Sequence, residues 1–148
     1  LSDNDGELSF FTYPSHSEAA SMTQNLDSQD VCEVRCQVHP LDKLNLTADF
    51  IKCDVEGAEL FVFKGAEKLL TRDRPAIFTE MLRKWCAQFN YHPNDIIRYL
   101  GDLGYVCMAV GGTGLRPCPE VTDETVETNY FFFHHLKHAG LLSNPPSC

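Results

Sequence analysis

The sequence predicts an α/β protein, the carboxyl-terminal part of a doubly wound sheet of parallel strands with a closing antiparallel strand. From Ala48 to Val110 short apolar runs alternate with amphipathic helical stretches in the order β-α-β-α-β, the pattern of parallel strands joined by crossover helices. The first two of these strands end in carboxylates, Asp54 and Glu80, and open α/β sheets build their ligand crevices at the carboxyl ends of strands. The length, 148 residues, suits one domain with a substantial core, since a chain of this size buries roughly 70% of its unfolded surface.

Each element follows from local chemistry. Ser2 to Gly6 contains the Asn-Asp-Gly wording of a tight turn, and the aromatic-rich Glu7 to Tyr13 favours an extended strand. Pro14 to Asp30 is polar without periodicity and predicts a long loop. Cys32, Val34, Cys36 and Val38 alternate with Glu33, Arg35 and Gln37, so Val31 to Val38 reads as a strand at a sheet edge. Ala48 to Cys53 is a short apolar strand, followed by a helix with Ala58, Val62, Ala66 and Leu69 on one stripe and Glu59, Lys64, Glu67 and Lys68 on the wet side. Arg74-Pro75 introduces the buried strand Ala76 to Met81. Ile96, Ile97, Leu100 and Leu103 recur at helical spacing between Pro93 and Leu103, and Gly104 supplies a left-handed stop. Tyr105 to Val110 is then a strand, Gly111 to Gly114 and Pro117 to Pro119 form a turn region, and Asn129 to His134 returns as the last strand. Residues 1–142 therefore form part of one domain, and 143–148 have the composition of a disordered tail.

Composition excludes several classes. A net charge of -9 argues against nucleic acid, whose binding draws on Lys and Arg displacing counterions. No apolar run approaches the roughly 20 residues of a membrane span. The seven cysteines are odd in number and show no Cys-x-x-Cys pair; Cys32 and Cys36 lie about 13 Å apart along their strand, too far to bridge. They read as buried thiols in a reducing, cytoplasmic setting, against which Asn45-Leu46-Thr47 stands as a glycosylation acceptor sequence. A first residue other than Met, followed by turn formers, predicts an amino end cut from a longer chain.

The candidate chemistry is carboxylate chemistry. Asp54 lies where strand gives way to helix and can either serve a crevice or cap the helix, the latter worth about 1 kcal/mol. Glu56 sits in the first turn, where a negative charge is favoured, and Gly57 permits close approach of backbone or ligand. Glu80, directly after a buried strand, must reach the crevice or find a partner such as Arg83 or Lys84. If it faces Asp54 across neighbouring strands, mutual repulsion would raise the proton affinity of one of the two and give a usable base, Glu80 being the candidate. Trp85 and His92 are candidates for an acceptor pocket. His134, His135 and His138 do not converge easily on a metal, because the first two alternate across a strand end.

Lys52-Cys53-Asp54-Val55-Glu56-Gly57-Ala58-Glu59, Lys64-Gly65-Ala66 and Glu80 resemble the wording of the FkbM-type methyltransferases. Ser2 to Phe10 is similar to that family's upstream strand-turn segment and Asn129 to Phe132 to its last strand, so the resemblance extends over nearly the whole chain. It implies a partial Rossmann-like methyltransferase sheet and methyl transfer from S-adenosylmethionine to a hydroxyl of a small molecule or carbohydrate. Asp54 and Glu80 are then catalytic and Asp54, Glu56 and Gly57 cofactor-binding, with no residue assigned as a metal ligand. The family's Gly-rich donor loop has no counterpart in these residues, which implies an incomplete portion of the domain. Two other readings follow from the residues: a non-catalytic half-domain serving binding or assembly, and a metal-dependent hydrolase built on Asp54, Glu56 and Glu80.

Overall fold

The computed structural model describes residues 1–13, 16–21 and 32–143, and two sheets organise them. The first is antiparallel, with β1 (Gly6–Tyr13), β2 (His16–Ser21) and β3 (Cys32–Val38) in the order β2-β1-β3. The second holds β4 (Phe50–Cys53), β5 (Ala76–Glu80), β6 (Tyr105–Gly111), β7 (Gly114–Pro117) and β8 (Asn129–His134) in the order β4-β5-β8-β6-β7.

The mixed α/β class holds, but the sheet is mostly antiparallel. Only β4 and β5 pair in parallel, with Cys53 opposite Thr79, while β5–β8, β6–β8 and β6–β7 are antiparallel. The closing strand lies inside the sheet, so β5 and β6 run the same way without touching. Its composition explains the position: Tyr130 and Phe132 are fully buried and Phe133 nearly so. A strand apolar on both faces belongs in a sheet interior.

Helices α1 (Glu59–Lys64), α2 (Glu67–Asp73), α3 (Arg83–Gln88), α4 (Pro93–Asp102) and α5 (Ala139–Ser143) complete the described chain. The single helix expected after β4 is two, α1 and α2. Gly65 marks the break, where an added Cβ would run into the carbonyl of Ser2. Beyond it, Asp42 of a single 3-10 turn, Leu41–Leu44, accepts the N–H groups of Lys68 and Leu69 at 2.9 and 3.0 Å. That supplies the first turn of α2 with acceptors it would otherwise lack. The predicted stripe Ala58, Val62, Ala66 and Leu69 is buried, and α4 ends where expected, with Gly104 following at φ 89. The core joins Leu60, Phe63 and Leu70 to Ile77, Ile96, Leu100, Tyr130 and Phe132.

Four local expectations change. Part of the predicted Pro14–Asp30 loop is strand β2, residues 14, 15 and 22–30 lying outside the described residues. On β3 the alternation is real but its apolar face is largely open: Cys32 is exposed, Cys36 half-buried and Val34 42% exposed, so those thiols are not the buried ones. The turn region after β6 contains strand β7, closed by a two-residue loop. Ser143 ends α5, its hydroxyl donating to the Ala139 carbonyl, and the rest of the predicted tail lies outside the described residues.

Candidate active site

Strands β4 and β5 end side by side, and the residues immediately beyond the Cys53–Thr79 pair are Asp54 and Glu80. Asp54 is exposed and receives a 3.2 Å contact from the Lys52 ammonium, an exposed pair worth little. Glu80 is half-buried, and no ion pair to its carboxylate is present among the described residues. The partners anticipated for it are engaged elsewhere. Arg83 donates to the Thr122 carbonyl and reaches Asp123 at 3.3 Å, and Lys84 lies 4.6 Å over the Trp85 ring.

Between the two carboxylates in sequence is a turn that bends sharply. Glu56 and Gly57 are consecutive left-handed residues, φ 52 and 100. Strain at a non-glycine residue such as Glu56 persists only where surroundings over-determine it. Here the determinant is Glu59. Expected on the wet side of its helix, it is 2% exposed, and its Oε1 accepts the N–H groups of both Val55 and Gly57 at 3.1 Å. The Tyr91 hydroxyl donates to the Gly57 carbonyl at 2.7 Å and lies 3.3 Å from the Glu59 Oε2. A buried carboxylate thus finds donors instead of a cation, satisfying the demand that burial places on it. The one sequence signal for this was its position, two residues after a glycine and facing the same stripe as Val62 and Ala66.

Gly57 is required by packing. A Cβ there would sit 2.6 Å from the Trp85 carbonyl oxygen, so what approaches the glycine closely is the backbone of α3. Burial of this corner also pushes the Cys53 thiol up to about 12, with Glu59 and Asp54 adding to the effect, and the Cys86 thiol up to about 11.

The proton affinity of Glu56 is raised. Burial is the largest cause, followed by the negative charges of Asp54, Glu80 and Glu59, with Lys84 opposing them. Asp54 and Glu80 therefore share one electrostatic neighbourhood, and its focus is Glu56. A cleft of ≈ 390 Å³ opens between Met81 to Lys84, just past β5, and Val121 and Thr125 to Thr128, just before β8; Lys84 is the lining residue that acts on Glu56.

The remaining candidates have structural employment. His92 caps α4 in a capping box, its Nδ1 accepting from the Asn94 N–H and its own N–H donating to Asp95. His134 and His138 accept the N–H groups of Leu136 and His134, and His135 bonds the Gly104 carbonyl. Among the described residues no group of three His, Cys, Asp or Glu side chains is placed to hold a metal ion, the carboxylates Asp54, Glu56 and Glu80 included.

Residues 2–107, a span that contains the 54–59 turn, both carboxylate-tipped strands and α1 to α4, match the family model of the methyltransferase FkbM domain. The chain belongs to the FkbM methyltransferase family. Its activity is accordingly methyl transfer dependent on S-adenosylmethionine, to a small acceptor. No curated protein and no solved structure matches the chain. The family match ends at Cys107, so β7, the following loop and β8 lie beyond it, although β8 completes the FkbM domain's sheet here. No helix among the described residues is long and apolar enough to cross a membrane.

Proposed function

We propose that Asp54, Glu56 and Glu80 form the reaction centre of this methyltransferase, acting on a hydroxyl of a small molecule or sugar held in the cleft beside β5. The observation that supports the reading most is the joint action of Asp54 and Glu80 on Glu56. Two neighbouring parallel strands bring their acidic ends to one place, as a crevice of this kind requires. A sulfonium centre is a cation, and carboxylates only partly offset by Lys52 and Lys84 complement its charge. The donor set fits.

S-adenosylmethionine supplies, when bound, the electrophilic methyl group. In this reading Asp54 and Glu56 orient its charged end, Gly57 shapes the turn that carries them, and Glu80 accepts the proton of the acceptor hydroxyl as the oxygen is methylated. Positioning contributes most of such an acceleration and a general base about 10²- to 10⁴-fold. Residues 1–142 act as part of one domain.

In a methyl-transfer assay across hydroxylated small molecules and sugars, Glu80→Gln should lower turnover by about 100-fold or more while calorimetry shows unaltered donor affinity. Unchanged turnover removes Glu80 from the mechanism, and failure of the wild-type chain to bind S-adenosylmethionine favours a binding or assembly module. The raised proton affinity of Glu56 favours a second assignment, with Glu56 as the base. Then Glu56→Gln, not Glu80→Gln, abolishes the acid limb of the pH–rate profile.

A further inference from the structure

The β6–β7 hairpin carries two cysteines that methyl transfer does not use. Met108 pairs with Pro117, and one step further from the loop Cys107 faces Cys118, whose N–H donates to the Cys107 carbonyl at 3.0 Å. Directly opposed, hydrogen-bonded residues of antiparallel strands have Cα atoms about 5.5 Å apart and side chains on the same face. That separation is the commonest one for a disulfide. Cys118 is among the groups that push the Cys107 thiol up, and both residues are buried, at 5% and 3% exposure. Cys53 and Cys86, the other buried cysteines among the described residues, have no second cysteine among the groups that act on them.

We propose that Cys107 and Cys118 are an oxidisable pair, closing to a disulfide by exchange with a small-molecule disulfide such as glutathione disulfide. One thiol loses its proton and attacks a glutathione sulfur, releasing one glutathione thiolate and leaving a mixed disulfide. The second thiol, deprotonated in turn, attacks the protein sulfur of that mixed disulfide and expels the second glutathione. Two protein thiols and one glutathione disulfide become one protein disulfide and two glutathiones. Access comes from the fold. β7 is four residues long and lies at the sheet edge, paired only with β6, and short edge elements open locally at low cost. Burial pushes both thiols up, so exchange quickens with alkalinity.

The bond would act on the cleft. Cys118 begins the segment that runs to β8 and supplies Val121 and Thr125 to Thr128 to the cleft wall. Its thiol also donates to the Glu120 carbonyl at 3.2 Å. Oxidation replaces that bond with a covalent tie from the root of the wall to an inner strand.

The test uses the wild-type chain, held with glutathione disulfide at about pH 8.5 to raise the thiolate fraction, quenched by alkylation and cleaved with cyanogen bromide at Met108. Expected is a Cys118-containing fragment that stays joined to the fragment ending at Met108 until dithiothreitol separates them, with both cysteines unalkylated. Recovery of Cys107 and Cys118 alkylated, or each as its own stable glutathione adduct, overturns the proposal. Cys118→Ser under the same conditions should leave Cys107 unlinked; linkage of Cys107 to another cysteine there overturns it too.

Discussion

At the scale of single residues, the turn from Asp54 to Glu59 shows how one buried carboxylate organises its more open neighbours. Glu59 gathers two backbone N–H groups that a left-handed pair would otherwise strand, and the turn so fixed sets Glu56 among Asp54, Glu80 and Glu59. Gly57→Ala meets both the positive φ and the Trp85 carbonyl 2.6 Å from its Cβ, and should cost about 3 kcal/mol or more in denaturant unfolding. An unchanged midpoint would mean that the turn relaxes freely. Glu56 offers a second measurement. Its folded-state proton affinity is raised above the ordinary 4.5, so the fold binds the extra proton, and stability is lost as pH rises from the unfolded value through the folded one. Glu56→Gln should therefore stabilise at pH 7, by on the order of 0.5 kcal/mol for a partly solvated like-charge cluster, and the gain should vanish in acid. The carboxylates Asp54, Glu56 and Glu80 were legible in the sequence because strand ends and a distinctive run of residues mark them. Glu59 was not, since its partners are backbone groups and a tyrosine 32 positions away.

Elements carry the same lesson. The strands β4, β5, β6 and β8 and helix α4 are where apolar periodicity and turn residues placed them, because each is specified within its own few residues. Helices α3 and α5 and strand β7 are short, and their stability comes from neighbours that periodicity cannot see. The histidines at the end of β8 are such a device. Leu136 and His134 donate their N–H groups to the Nδ1 atoms of His134 and His138, which can accept only while unprotonated. Both groups lie below the ordinary 6.5, His134 through burial and then Arg74, His135 and His138, and His138 through burial and then Lys137. A lowered histidine is neutral in the fold, so its contribution is complete above the unfolded value and is lost as pH falls below about 6.5. Acidification from pH 7.5 to 5.5 should release the turn into α5, at about 1 kcal/mol for each bond lost. Amide exchange at Leu136 and His134 should rise ahead of the core; equal protection at both pH values would show that the caps are unimportant.

For the whole molecule, strand order matters more than strand identity, and order is what a single sequence hides. Asn129 to His134 was readable as a strand and as antiparallel, but its place between β5 and β6 depends on pairing with residues 21 to 55 positions earlier. That place makes β8 the strand that joins the β4–β5 pair, which bears the carboxylates, to the β6–β7 hairpin within the sheet. β4, in contrast, pairs on one side alone and leaves Phe50 55% exposed. Destabilising β8 should consequently disturb the whole sheet, whereas the same change at Phe50 should be tolerated. Phe132 is fully buried, opposite Ile77 on one side and Cys107 on the other, and Phe132→Ala should cost about 3 to 5 kcal/mol through lost transfer energy and the cavity left behind. With proteins of this size holding only about 5 to 15 kcal/mol in reserve, that substitution should lower the melting point by about 10 °C or more. Phe50→Ala should leave it nearly unchanged. Equal effects of the two substitutions in parallel calorimetric scans would show that the sheet does not depend on its interior strand.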